Sequence, residues 1–176
     1  MFPQISRIWS PSANRGRAIL AVREAGFRVD SKDDASPVTA ADLAANEILV
    51  AGLVACSTLP ILSEEGREVP WVERREWRRF WLIDPLDGTR EFVDGFDDFT
   101  VNVALIEEGR PVLGVVHAPA SGVSWAGVAG EGAWRCQQGE SLVNGHFIAC
   151  AALAWRDRLA AVSRQAVWGE RKPRVE

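Results

Sequence analysis

A small set of acidic and hydroxyl residues in this chain has the types and spacing to handle a cation and an anion together. Asp84 and Asp87, separated by Pro85-Leu86, follow the apolar run Phe80 to Ile83, and Gly88-Thr89 come directly behind them. Glu64 follows a second apolar run, Leu59 to Leu62, by way of Ser63. Carboxylates without a nearby thiol or imidazole select a hard cation such as Mg2+ or Mn2+. Left alone, three clustered anions would repel one another and raise their own pKa values, so the cluster implies a cation. The backbone carbonyl of Leu86 can add another oxygen ligand. Gly88 lets the backbone approach a ligand closely, and Thr89 to Val93 can begin a helical turn whose free N–H groups face an anion. Thr89 carries a hydroxyl that could orient a water. Asp42 could take that water's proton if the start of its helix faces the same cleft. With two metals bridging attacking and leaving oxygens, the set would suit hydrolytic phosphoryl transfer. A plainer reading stays open at this level: Asp-Pro and Asp-Gly are common turn dipeptides, and D-x-x-D-G is short enough to arise by chance.

Such residues act together only if the elements between them bring them together. Residues 17–25 read as a helix end, with Ala18, Ile19, Leu20, Val22 and Ala25 as its apolar stripe and Gly26 as its stop. Residues 26–37 read as a polar, turn-rich connection. A second helix is expected from Thr39, a plausible N-cap, with Asp42 in its first turn and Leu43, Glu47, Ile48, Leu49, Leu53 and Val54 carrying it to about Cys56. Leu59 to Leu62 reads as a short strand, residues 67–78 as a charged irregular excursion, and Phe80 to Ile83 as a buried strand. Pro85 is expected to fix a turn between the two aspartates. Thr100 to Ile106 and Val112 to His117 are strand-like and joined by the hairpin signal Glu107-Glu108-Gly109-Arg110. Val123 to Val128 and Gly132 to Arg135 continue the β pattern. Helices first and strands after give an α/β or α+β class, with helices packed on a large sheet. If the strands ending at Glu64 and Asp84 are neighbours, their C-terminal ends gather the carboxylates where α/β sheets bind ligands.

Composition narrows the function classes. The chain has 176 residues, 47% hydrophobic and 25% charged, with a net charge of −4. That fits a globular protein and argues against a nucleic-acid groove. No apolar run approaches the roughly 20 residues of a membrane span, and the N-terminus lacks a signal-peptide layout. The three cysteines (Cys56, Cys136, Cys150) form no C-x-x-C pair, and the two histidines (His117, His146) do not join them at ligand spacing. Reduced thiols in a cytoplasmic protein are expected, and zinc is not. The stretch Arg74-Arg75-Glu76-Trp77-Arg78-Arg79 reads as a solvated face rather than an anion site. The eight tryptophans, beside no tyrosine, suggest no function.

In order along the chain, these motifs resemble the inositol monophosphatase superfamily of metal-dependent phosphatases. Asp84-Pro85-Leu86-Asp87-Gly88-Thr89 matches its D-P-[ILV]-D-G-T motif in full, Ser63-Glu64-Glu65 matches the upstream acidic element, and residues 36–46 (SPVTAADLAAN) look like the segment bearing the water-activating aspartate. Arg90-Glu91-Phe92 is closer to the Lys-Glu-Phe of CysQ-type 3'(2'),5'-bisphosphate nucleotidases than to the Thr-Asn-Phe of inositol monophosphatases. The resemblance implies the layered α-β-α-β-α sugar-phosphatase fold, here its helix-plus-large-sheet part. It further implies Mg2+-dependent, lithium-sensitive removal of the 3'-phosphate of adenosine 3',5'-bisphosphate, with two or three ions and Mn2+ as a substitute. Glu64, Asp84, Leu86 and Asp87 then match metal ligands. Together with Gly88 and Thr89 they match contacts to a small phosphorylated substrate, and Asp42 with Thr89 matches the water-activating pair. A homodimer and peripheral attachment to the inner membrane remain open alternatives.

The family's downstream W-D-x-A-A-G motif has no counterpart here. Trp155-Arg156-Asp157 is the nearest look-alike, with the wrong spacing and wrong following residues. The expected organisation is an atypical segment 1–15, a metal- and phosphate-binding domain 16–150, and a segment 151–176 opening a truncated C-terminal subdomain before a tail. Two rival readings follow: another substrate of the same family (an inositol or sugar phosphate), or a non-catalytic remnant keeping a metal–phosphate half-site.

Overall fold

A computed structural model describes residues 19–26, 29–31, 37–137 and 146–147. The expectations for residues 1–15, for the segment 151–176 with Trp155-Arg156-Asp157, and for Cys150 lie outside the described residues. Helix α1 (residues 19–25) is followed by an antiparallel pair, β1 (Val29–Ser31) and β2 (Pro37–Thr39), and then by α2 (Ala40–Val54). A seven-stranded sheet comes next, in sequential order: β3 (Ile61–Ser63), β4 (Arg79–Asp87), β5 (Thr100–Glu107), β6 (Arg110–Ala118), β7 (Val123–Val128), β8 (Gly132–Gln137) and β9 (His146–Phe147). Two short helices interrupt it, α3 (Trp71–Arg74) before β4 and α4 (Thr89–Val93) after it. β3 runs parallel to β4, and every later neighbour is antiparallel.

Helices α1, α2 and α4 contribute to one core on one face of this sheet. α2 buries Ala41, Ala45, Leu49 and Leu53, a stripe that repeats each turn. They meet Trp81 and Ile83 of β4, alternate residues of β5 (Val101, Val103, Leu105), and Leu113 and Val115 of β6. Burying each of the larger side chains removes enough apolar surface from water to contribute about 1.5–3 kcal/mol. The expected stripe is thus partly corrected: small alanines seat the helix close to the strands, while Leu43, Ile48 and Val54 stay exposed. α1 buries Ile19 and ends at Gly26, whose φ of 79° and N–H bond to the Arg23 carbonyl close the helix as expected. The other face of the sheet is an open apolar groove lined by Leu82, Ala104, Ile106 and Val116 beside Glu64, Asp84 and Asn102.

Several elements differ from the sequence reading. The connection 26–37 contains β1 and the start of β2, and Thr39, the last residue of β2, stands directly before α2, at the expected N-cap position. The excursion 67–78 contains α3, whose Arg74 guanidinium stacks on exposed Trp71. The run Phe80 to Ile83 is buried on one face only, with Leu82 exposed on the other. The main difference lies at Pro85. β4 does not turn after Ile83 but continues to Asp87, with Asp84 paired to Asn102 and Asp87 to Thr100, so β4 carries one residue more than β5 between these pairs. Pro85 has no N–H to donate, and a bulge is where a strand tolerates that loss. The hairpin after β5 matches expectation: Glu108 (φ 48°) and Gly109 (φ 71°) form a two-residue turn with the twist such hairpins favour. Among the described residues no helix is long and apolar enough to cross a membrane.

Candidate active site

The parallel pairing of β3 and β4 sets Ser63 level with Ile83, so the residues that follow, Glu64 just past β3 and Asp84 within β4, come side by side. The Glu64 N–H donates to the Ile83 carbonyl at 3.2 Å and fixes that step. The bulge then carries Asp87 round to the same end, where Asn102 Nδ2 donates to Asp87 Oδ2 at 3.1 Å. Thr100 Oγ1 in turn donates to Asn102 Oδ1 at 3.1 Å, which holds the amide in that orientation. Burial, then the Glu64 carboxylate, then those of Asp87 and Glu65 push the Asp84 carboxyl up to about 7, against a backbone N–H donated by Leu86. In the metal-free protein the Asp84 carboxyl therefore keeps its proton up to about neutral pH.

Among the described residues, no three acidic, histidine or cysteine side chains converge tightly enough to form a closed metal cage. The donor set nevertheless fits a hard cation. Glu64 and Asp87 both help to raise Asp84, so the three carboxylates lie close enough to act on one another. Glu64, Asp84, Asp87 and the Leu86 carbonyl are the oxygens available to hold it.

Behind the carboxylates, Gly88 adopts φ 92° and ψ 36° and opens α4. A Cβ there would lie 2.8 Å from the Asp98 carbonyl oxygen, so a side chain is excluded both by conformation and by space. The loop that presses on Gly88 is itself fastened to α1. Arg23 donates to the carbonyls of Gly95 (2.6 Å) and Phe96 (3.2 Å) and pairs with Asp97 at 2.9 Å. Arg90 is exposed, whereas Phe92 is buried edge-on against Phe99, so the phenylalanine of this tripeptide belongs to the core.

Thr89 links this wall to α2. Its hydroxyl lies 3.0 Å from Asp42 Oδ1 and 3.1 Å from the Leu86 carbonyl, and with one proton it can donate to either. Asp42 is fully buried, at 0% exposure, one turn into α2. The structure thus brings together every residue singled out in the sequence: Asp42, Glu64, Asp84, Leu86, Asp87, Gly88 and Thr89. Sequence reading missed Asn102, Thr100, Ser63 and Asn46, which orient these groups. A signal existed for Asn102, a polar residue inside the alternating apolar strand Thr100 to Ile106.

The inositol monophosphatase family pattern matches residues 12–165. The CysQ 3'(2'),5'-bisphosphate nucleotidase of Escherichia coli K12 is 43% identical over 134 residues, covering 74% of this chain and 54% of that protein. The crystal structure of CysQ from Bacteroides thetaiotaomicron superposes with a TM-score of 0.68 at 32% identity, over 84% of this chain and 58% of that one. An IMPase/NADP phosphatase complexed with Mg2+ and phosphate shares the fold, with a TM-score of 0.58 at 23% identity over 66% of this chain and 44% of that one. The chain spans about half the length of the curated relatives it matches.

Proposed function

The chain belongs to the inositol monophosphatase family, and from that premise we propose that it carries the metal–phosphate wall of a Mg2+-dependent phosphomonoesterase acting on a 3'(2'),5'-bisphosphate nucleotide. One observation carries the reading. A buried carboxylate, Asp42, accepts a hydrogen bond from the Thr89 hydroxyl just behind the neighbouring carboxylates of Glu64, Asp84 and Asp87, whose mutual repulsion helps raise Asp84. The 43% identity to CysQ supports the nucleotide over inositol or sugar phosphates.

When bound, two or three Mg2+ ions, or Mn2+ in their place, would neutralise phosphate oxygens and favour ionisation of a water. Glu64, Asp84, Asp87 and the Leu86 carbonyl would hold them. The water donates a proton to Thr89 Oγ1 as the Thr89 proton passes to Asp42 Oδ1, a route the 3.0 Å contact already provides. The water oxygen forms the new bond to phosphorus, the bond from phosphorus to the 3'-oxygen breaks, and that oxygen takes a proton from solvent to leave as the nucleotide's 3'-hydroxyl. Backbone at Gly88 and Thr89 approaches the phosphate because no Cβ intervenes at residue 88.

Phosphate release from adenosine 3',5'-bisphosphate and from inositol 1-phosphate, measured with Mg2+ beside an Asp84→Asn control, tests the proposal. Release from the nucleotide that needs both Mg2+ and Asp84 is expected. Equal background in wild type and variant would refute catalysis, and preference for the inositol ester would refute the substrate.

A further inference from the structure

Helix α2 reaches the site at two positions one turn apart, which places both side chains on the same helix face. Asp42 meets the Thr89 wall. Asn46 meets the other wall: its Oδ1 accepts the Ser63 hydroxyl at 2.7 Å, and its Nδ2 lies 3.5 Å from the Glu65 carbonyl oxygen, at the outer limit of a hydrogen bond. Ser63 Oγ also accepts the Glu65 N–H at 3.2 Å. Ser63 and Glu65 bracket Glu64, so the turn carrying that carboxylate is tied to α2 on both sides and to Ile83 through its own N–H.

Those ties matter because Glu64 is exposed and follows a strand of only three residues, which among the described residues pairs on one side, with β4. We propose that Asn46 is a positioning residue. Through Ser63 it holds the Ser63–Glu65 turn so that the Glu64 carboxylate meets the cation beside Asp84. This inference rests on the metal–phosphate reading above and adds to it a residue that touches neither metal nor substrate. α2 then serves as a common strut: Asp42 braces the water-activating wall, and Asn46 four residues on braces the metal-binding wall, so the distance between the two is set by one rigid helical turn. Outer partners of this kind typically cost about 10–100-fold in metal affinity when removed.

Mn2+ binding followed by electron paramagnetic resonance, a readout independent of activity, tests the proposal with Asn46→Ala, Ser63→Ala and the double variant. Each single change should weaken Mn2+ binding about tenfold. The double variant should be no weaker than the worse single, because both act through one link. Thermal melting without metal should move little, since both side chains are only half-buried. Unchanged Mn2+ affinity with a lowered melting temperature would reduce Asn46 to a purely structural role and overturn the proposal. So would losses that multiply in the double variant. If Asn46→Ala does not fold, Ser63→Ala alone decides by the same affinity criterion. Failure of the wild type to bind Mn2+ would refute the metal reading and this inference with it, whereas tight binding by wild type and variants alike would refute the inference only.

Discussion

Turns near opposite ends of β5 each place a glycine at positive φ, and their surroundings could hardly differ more. Gly109, after the strand, sits at φ 71° in a two-residue hairpin with nothing within 4 Å of where a Cβ would be. Gly88, packed against the residues that lead into the strand, sits at φ 92° with the Asp98 carbonyl and Phe99 pressed upon it. Around Gly109 the chain obeys local rules of twist and alternation. Around Gly88 a proline-bearing bulge and a raised Asp84 occur within one stretch of chain, and a fully buried carboxylate, Asp42, meets that stretch through Thr89. Departures from regular structure gather where the chemistry is and are held there by the packing of more distant elements.

The sharpest way to break this contrast is to substitute both glycines. Gly88→Ala adds a left-handed alanine and a backbone clash, and should cost about 2–4 kcal/mol of unfolding free energy in urea titrations. Gly109→Ala meets no atoms and should cost only about 1 kcal/mol, the conformational penalty alone. Equal costs would mean that Gly88 is merely another turn glycine. Next in size is Thr89→Val, which keeps shape but removes a hydroxyl partner from buried Asp42. A loss of about 1–3 kcal/mol is expected in the same titration, and phosphate release should fall by a factor of about 100 or more if Thr89 relays the proton. A stable variant with full activity would remove Thr89 from the mechanism.

The contrast also explains what could be read from sequence. Glu108-Gly109 and the alternation of Thr100 to Ile106 announce themselves because local propensity and tertiary structure agree there. Asp84-Pro85-Leu86-Asp87-Gly88-Thr89 announces its chemistry for another reason: those residue types serve little purpose in that order unless they bind something. Its shape was not legible. Pro85 reads locally as a turn, and only pairing with β5 shows that the strand continues through a bulge. Asn46 and Ser63 were invisible as a pair, because their contact joins α2 to β3 across seventeen positions of sequence. The exposed Leu43 and Val54 follow the same logic, since helical periodicity cannot say which stripe the sheet will accept.

Smaller effects should separate the two regions by pH. In the meander, burial lowers the His117 imidazole to about 4 from 6.5, beside the Ser124 hydroxyl at 2.6 Å. His117 stays neutral in the fold, while an unfolded chain takes up a proton below 6.5. Its contribution is therefore complete above about pH 6.5 and lost as pH falls toward 4. Asp84 has the opposite sign. The fold keeps its proton up to about 7 against an ordinary 3.8, so the metal-free protein loses stability as pH rises between those values. His117→Gln should flatten the acid-side fall in melting temperature, and Asp84→Asn should flatten the fall approaching neutrality. If neither substitution changes its limb of the profile, the two groups do not titrate as their surroundings dictate.

The central claim is that Glu64, Asp84 and Asp87 form a cation site in which Asp84 holds a proton up to about pH 7 when no metal is bound. Calorimetric titration of Mg2+ into wild type and Asp84→Asn at pH 8 and at pH 5.5 tests it most directly. The account predicts binding at pH 8, weaker binding at pH 5.5 accompanied by proton release as Mg2+ displaces the Asp84 proton, and little or none in the variant. Affinity that is the same at both pH values, or unchanged by Asp84→Asn, would contradict it.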